Sequence, residues 1–210
     1  MRAAGLLVCL TLAWAVPAEG KRRPGKRITY PDCSVQLLSG DGIEVKHPDH
    51  AFGTEKTVVL FREAVRHLRE REPAAPPVVV GDLSRHGGGW LRPHRSHRDG
   101  RDIDVGYFWK VPRQPRHFAK KKPKQLDVAL QWAFFQTLMA TGQVEYLFVS
   151  YPLQQVLHAY VKKLGASKRD LDALFQWPRP RREKTGLIRF EPGHHDHFHV
   201  RFTKDPGPNS

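Results

Sequence analysis

Two histidine-rich segments constrain the fold of this chain more than any other feature of its sequence. The first runs from His94 to Asp104 and the second from His194 to His199, and together they hold half of the twelve histidines. Three imidazole or carboxylate ligands, with a fourth position open to water, are typical of a catalytic zinc site. We therefore expect the fold to bring together two segments that are distant in sequence.

Each segment leads into a predicted β-strand, and these strands run from Asp102 to Phe108 and from His197 to Phe202. Residues two apart on a strand share a face, so His197 and His199 point the same way and Asp104 lies on the polar face of its own strand. The loop before the first strand can return a further histidine to this face. The predicted zinc ligands are His97, Asp104 and His199.

His197 shares a strand face with His199 but is not among the predicted ligands, so it is the candidate catalytic base. Hydrolysis by a zinc-activated water requires a group that takes up the proton of that water. Asp196 is the alternative base, although strand alternation directs its side chain to the opposite face.

The N-terminus has the layout of a secretory signal peptide. A positive charge at Arg2 precedes an almost wholly apolar run from Gly5 to Val16, and cleavage is expected after Ala15 or Ala18. The run is too short for an integral membrane span. The expected location is therefore periplasmic or secreted. We divide the chain into a signal peptide (1–20), a basic arm with an N-terminal segment (21–49) and one folded domain (50–210).

The chain is strongly basic, with a formal net charge of +14. Such a charge favours an acidic polymer as a partner. The export signal argues against nucleic acid and favours an anionic cell wall. Removal of the signal peptide leaves Cys33 as the one cysteine, which excludes an intramolecular disulfide and a cysteine-ligated zinc site. The oligomeric state stays open.

Hydrophobic periodicity predicts four helices and four strands. The helices are expected at 54–71, 125–140, 153–164 and 167–175, and the strands at 78–84, 102–108, 144–149 and 197–202. The order of these elements is not a βαβ alternation. We therefore predict a single α+β domain with a small, mostly antiparallel central sheet, flanked by helices and carrying the zinc site.

Several other residues receive less specific interpretations. Trp90 and Trp109 flank the first segment and could line a substrate groove or pack in the core. A guanidinium matches the geometry of a substrate carboxylate, but in so basic a chain an arginine can also be simply solvated. The arginines concerned are Arg85, Arg92 and Arg101. Four histidines without a partner pattern are interpreted as structural: His47, His50, His86 and His158.

The sequences SHRDGRDID at Ser96–Asp104 and DHFHVR at Asp196–Arg201 resemble those of the penicillin-insensitive murein endopeptidases. These enzymes belong to a wider group of zinc peptidases that includes the lysostaphin-type enzymes and the D-alanyl-D-alanine peptidases. The similarity covers most of residues 50–203. Its other segments are Phe52–Thr54, Val80–Ser84, Val144–Val149 and Leu174–Pro178.

This resemblance implies the same three zinc ligands and the same active-site histidine, His197. His94 and His194 match two further family histidines, which either hydrogen-bond around the site or bind a second metal. The loop 110–124 offers only His117 as an additional ligand. The implied reaction is hydrolysis of D-alanyl-diaminopimelyl cross-links between peptidoglycan peptides, in the periplasm, by a zinc metallopeptidase.

Three other functions remain open from the sequence. A D,D-carboxypeptidase or dipeptidase of the same zinc group typically has a glutamate three residues before the last ligand, where this chain has Asp196. A non-catalytic, zinc-containing cell-wall binding module would bind metal and wall without releasing new amines. A nucleic-acid binder would show a salt-dependent affinity for DNA.

Overall fold

The computed structural model describes residues 32–204. The predicted signal peptide (1–20) and the basic stretch that follows it (21–27) lie outside the described residues. Within residues 32–204, no helix combines the length and the apolar character that crossing a membrane requires.

The described residues form eight strands and four α-helices. The strands are β1 (Val35–Gln36), β2 (Ile43–Val45), β3 (Phe52–Gly53), β4 (Val78–Val80), β5 (Asp102–Gly106), β6 (Val144–Phe148), β7 (Ile188–Arg189) and β8 (His197–Phe202). The helices are α1 (Glu55–Arg71), α2 (Val128–Ala140), α3 (Tyr151–Lys163) and α4 (Lys168–Leu174). Short 3-10 turns cover Pro48–His50 and Pro123–Gln125.

Six of these strands form one mixed sheet in the order β2-β4-β5-β8-β6-β7. The three inner pairs are antiparallel, whereas β2–β4 and β6–β7 at the edges are parallel. The α+β class is confirmed, and the four predicted strands are the four inner ones. The sheet is larger than predicted, because the two edge strands have only three and two residues and are too short for a periodic signal.

The inner strands present an apolar face to the helices and a polar face to the opposite side. Phe198 of β8 is fully buried and lies edge-on to Phe134 and Phe135 of α2, with ring centroids 6.0 and 4.9 Å apart. Phe61 of α1 packs against Phe134 in the same layer. Because neighbouring residues of a strand point to opposite faces, this burial directs His197 and His199 to the polar face.

Side-chain caps set the starts of the helices. Thr54 accepts a hydrogen bond from the Thr57 amide at the start of α1, as predicted, and Ser167 forms a capping box at α4. Helix α2 begins three residues later than predicted, because Asp127 is its N-cap. Helix α3 begins two residues earlier, with Pro152 in its first turn.

Gly100, between the candidate ligands His97 and Asp104, lies in a crowded left-handed turn. Its φ is +66°, and an added Cβ would lie 2.7 Å from Cys33 Sγ and 2.8 Å from the Thr54 nitrogen. Gly142 has nearly the same φ, +64°, with nothing within 4 Å of the added Cβ. The two glycines share backbone strain and differ in packing.

We expect Gly142→Ala to lower the free energy of unfolding by about 1 kcal/mol through its left-handed backbone alone. Gly100→Ala should lose a further 1–3 kcal/mol, roughly, because the methyl group overpacks its surroundings. Urea denaturation of the two variants measures the difference. Equal losses would contradict the close approach of backbone and thiol around Gly100.

Candidate metal centre

The register of β5 and β8 places Asp104 directly opposite His199. Both side chains lie on the polar face of the sheet and are almost completely buried. His199 Nδ1 is 3.1 Å from Asp104 Oδ1. This part of the site is therefore built on two paired strands rather than on loops.

His97 completes the group from the loop before β5. Its Nδ1 donates a hydrogen bond of 2.7 Å to the carbonyl of Leu83. Because a carbonyl can only accept, Nδ1 carries the ring proton, and Nε2 of a neutral ring has a free lone pair. That Nε2 lies 3.2 Å from Asp104 Oδ1 and 3.2 Å from His199 Nδ1.

These three atoms form a nearly equilateral triangle with edges of 3.1–3.2 Å. Ligands held about 2.0–2.1 Å from a tetrahedral zinc ion are separated by about 3.3 Å. Two imidazole nitrogens and one carboxylate oxygen are also a donor set that zinc accepts in catalytic sites. The three ligands predicted from the sequence therefore suit a zinc ion both in their donor atoms and in the distances between those atoms.

The charge balance around this triangle favours a cation. Burial opposes ionisation of Asp104, but the neighbouring His97 and His199 outweigh it and hold the pKa of the carboxyl well below its usual range. Burial also opposes protonation of His199, yet hydrogen bonds to Asp102 and Asp104 raise its pKa to about 9. The same carboxylates that stabilise a proton on His199 would stabilise a divalent cation in its place.

Asp102 orients His199 and was not among the predicted site residues. His199 Nε2 donates a hydrogen bond of 2.7 Å to Asp102 Oδ1, which leaves Nδ1 facing Asp104. Asp102 is fully buried, and Arg201 Nη1 donates to both of its oxygens at 2.9 and 2.7 Å. Its place on β5, two residues before Asp104 and on the same face, was the available signal.

His197 lies beside the triangle and is held by Asp196. Its Nδ1 donates a hydrogen bond of 2.8 Å to Asp196 Oδ1, and its Nε2 lies 3.7 Å from Asp104 Oδ1. The hydrogen bond to His197 lowers the pKa of the Asp196 carboxyl. The expectation that Asp196 points away was wrong, because β8 begins at His197 and strand alternation does not extend to the preceding residue.

Phe118 covers one face of His197. The two rings are stacked, with centroids 4.7 Å apart and planes inclined by 15°. Gly81 makes room for it, since a Cβ there would lie 2.6 Å from the phenyl ring. The loop 110–124, interpreted from the sequence only as a surface loop, thus reaches the site. Within the described residues, His117 of this loop belongs to no candidate metal-binding group.

His94 and His194 both lie close to Asp104. His94 Nε2 donates a hydrogen bond of 2.8 Å to Asp82, which raises its pKa, and His94 Nδ1 lies 3.6 Å from Asp104 Oδ2. Burial and the nearby His197 lower the pKa of His194 to about 4, so this ring is neutral at pH 7. Each of the two belongs to a candidate metal-ligand group that contains Asp104.

The two tryptophans that flank the first histidine-rich segment differ in burial. Trp109 is in the core, whereas Trp90 is exposed beneath the guanidinium of Arg92.

Arg101 is buried and donates hydrogen bonds to Asp99, Glu145 and the Phe202 carbonyl. Its interpretation as a solvated or substrate-binding arginine was therefore wrong, while Arg85 and Arg92 are exposed.

We expect Asp102→Asn to weaken zinc binding about 10–100-fold, because the amide cannot replace the charged acceptor that orients His199. The matched control is Glu145→Gln, since Glu145 contacts Arg201, as Asp102 does, together with Arg101, and no histidine among the described residues. Competition with a chromophoric chelator gives both affinities, and circular dichroism checks that both variants fold. Equal zinc affinities in the two variants would remove the orienting role.

Comparison with known proteins identifies the family of the chain. No curated protein matches the chain. A family model described as penicillin-insensitive murein endopeptidase matches residues 45–210, which is most of the sequence and includes every residue of the candidate metal centre. The chain belongs to the family of penicillin-insensitive murein endopeptidases, which are peptidases of the cell wall.

Proposed function

We propose that the protein is a zinc metallo-endopeptidase that hydrolyses D-alanyl-diaminopimelyl cross-links between peptidoglycan peptides. The observation that carries this proposal is the triangle of His97 Nε2, Asp104 Oδ1 and His199 Nδ1, with His197 Nε2 beside it. Membership of a murein endopeptidase family supports peptide cross-links as the substrate. The spacing and type of the three ligand atoms support zinc.

In this proposal His97, Asp104 and His199 hold the zinc ion, which when bound supplies a polarised scissile carbonyl and a water that deprotonates near neutral pH. Each histidine offers the nitrogen that it does not use for orientation. His97 is fixed through Nδ1 by the Leu83 carbonyl, and His199 through Nε2 by Asp102. The rigid strands and these hydrogen bonds keep the ligand atoms in place before metal arrives.

His197 moves the proton. Because Nδ1–H is bound to Asp196, its Nε2 is the nitrogen that can accept a proton from the attacking water. The same Nε2 then donates that proton to the leaving amine of diaminopimelate. The Asp196 carboxylate stabilises the positive imidazolium between the two transfers, and the Phe118 ring excludes water from one face of His197.

We expect the purified protein to convert cross-linked muropeptide dimers into monomers, and we expect His197→Ala to lower kcat/KM by about 10²–10⁴-fold. The matched control is His195→Ala, because His195 is exposed and belongs to no candidate metal-binding group among the described residues. Chromatography and mass spectrometry of the digested peptidoglycan measure both. A chelator should stop the reaction, and added zinc should restore it.

Three results of that digestion would contradict the proposal in different ways. Release of terminal D-alanine without loss of dimers would assign the protein to the D,D-carboxypeptidases. Bound zinc with no new product would leave a cell-wall binding module. Equal loss of activity in the His195 and His197 variants would remove the proposed role of His197.

We also propose that residues 1–20 are a signal peptide and that the enzyme acts outside the cytoplasm. The sequence layout supports this, and a murein substrate requires it. The full-length chain, expressed in a bacterium with two membranes, should be recovered from the periplasm or the medium, with Val16 or Glu19 as its first residue. Intact-mass measurement tests this. A cytoplasmic protein that keeps residues 1–20 would contradict it.

A further inference from the structure

A third group of potential metal ligands lies on the solvent side of Asp82. His47 Nδ1 is 2.8 Å and His50 Nδ1 is 3.2 Å from the same oxygen, Asp82 Oδ1. The three ligand atoms all lie within 4.8 Å of one another. The proposed zinc site uses none of these residues. Neither histidine has a partner pattern in the sequence, and in the fold the two share one partner, Asp82.

The fold places these residues together through backbone contacts. Strand β2 runs parallel to β4, with Val45 opposite Val80, so the residues that follow the two strands emerge at the same edge. The Leu83 amide donates a hydrogen bond of 2.8 Å to the carbonyl of His50, which ties the two segments beyond the strands. These backbone contacts therefore bring both histidines close to Asp82.

The 3-10 turn Pro48–His50 places the two imidazoles on the same side of the backbone. The His50 amide donates to the His47 carbonyl at 3.0 Å, which closes one turn between them. In a 3-10 turn, side chains three residues apart lie one above the other. His47 and His50 therefore extend from the same side of the turn toward Asp82, and Pro48 restricts the backbone between them.

The carboxylate is fixed from its other side. His94 Nε2 donates 2.8 Å to Asp82 Oδ2, so Oδ1 is left for His47 and His50. The Asp82 side chain is 14% exposed, whereas His47 and His50 are 51% and 40% exposed. A metal ion can thus approach from solvent through the two histidines onto a carboxylate whose orientation is already set.

We propose that His47, His50 and Asp82 form a second metal site, which binds a divalent transition-metal ion such as zinc. Two imidazoles and one carboxylate are ligands that Zn²⁺, Ni²⁺ and Cu²⁺ accept. Each imidazole would bind through Nδ1, with its one proton on Nε2. Because two of the three ligands are partly exposed side chains whose ordering costs conformational entropy, this site binds more weakly than the buried triangle.

The site differs in kind from an ordinary surface contact between a histidine and a carboxylate. His67 on α1 provides the comparison, since its Nδ1 lies 3.0 Å from Glu70 Oε2. That contact is a single pair on one helix, and among the described residues it belongs to no candidate metal-binding group. His67 is therefore a matched control for an exposed histidine beside one carboxylate.

The test is a zinc titration of the purified, metal-free protein by isothermal calorimetry. We expect two equivalents of zinc in the wild type, a tight one and a weaker one. The double variant His47→Ala/His50→Ala should lose the weaker equivalent and keep the tight one, and His67→Ala should keep both. The double variant His97→Ala/His199→Ala should retain only the weaker equivalent, so failure of the two sites can be distinguished.

Three outcomes would overturn the second site. They are a wild type that binds one equivalent, a His47→Ala/His50→Ala variant that still binds two, and a His67→Ala variant that loses the weaker equivalent as well. Circular dichroism of the metal-free variants shows whether each is folded. Because the side chains of His47, His50 and His67 are 40–52% exposed, an equivalent lost in a folded variant of these residues reports on ligands and not on unfolding.

Discussion

The antiparallel pairing of β5 with β8 is the interaction on which the candidate metal centre depends. It sets Asp104 opposite His199 and Asp102 opposite Arg201, while Phe198 is buried against α2 on the other face. A slip of β8 by one residue would turn its histidines toward the helices and its phenylalanines toward the site. The apolar packing between sheet and helices therefore holds the register, and the register holds the ligand atoms together.

The two aspartates of β5 carry their buried charge in different ways. Removing a carboxylate from water costs several kcal/mol, roughly, unless a partner compensates. Asp102 has a permanent cation, since Arg201 donates to both of its oxygens. Among the described residues, the ion-pair partners of Asp104 are all histidines. A histidine that serves as a metal ligand is neutral, so Asp104 is the carboxylate whose charge a metal ion would balance.

Apolar and β-branched patterns predicted the four inner strands, and alternation along them predicted the faces of Asp104 and His199. The place of His97 in the loop before β5 predicted its proximity to Asp104. Hydrogen-bonding tautomers and the orienting role of Asp102 needed the actual register, which alternation alone does not define. Asp196 was misplaced because the alternation was extended to the residue before β8, whereas the strand begins at His197, as predicted. The contacts of Phe118 and His47 were not predictable, because one depends on the path of a long loop and the other on a three-residue edge strand.

The three atoms proposed to bind the metal are tested most directly by a crystal structure of the protein with one equivalent of zinc. Anomalous scattering at the zinc edge locates the ion independently of any assumption about its ligands. The predicted ion lies about 2.0–2.1 Å from His97 Nε2, His199 Nδ1 and an oxygen of Asp104. Zinc bound to Nε2 of His199, or held by His94 or His194 in place of one of the three, would contradict the account.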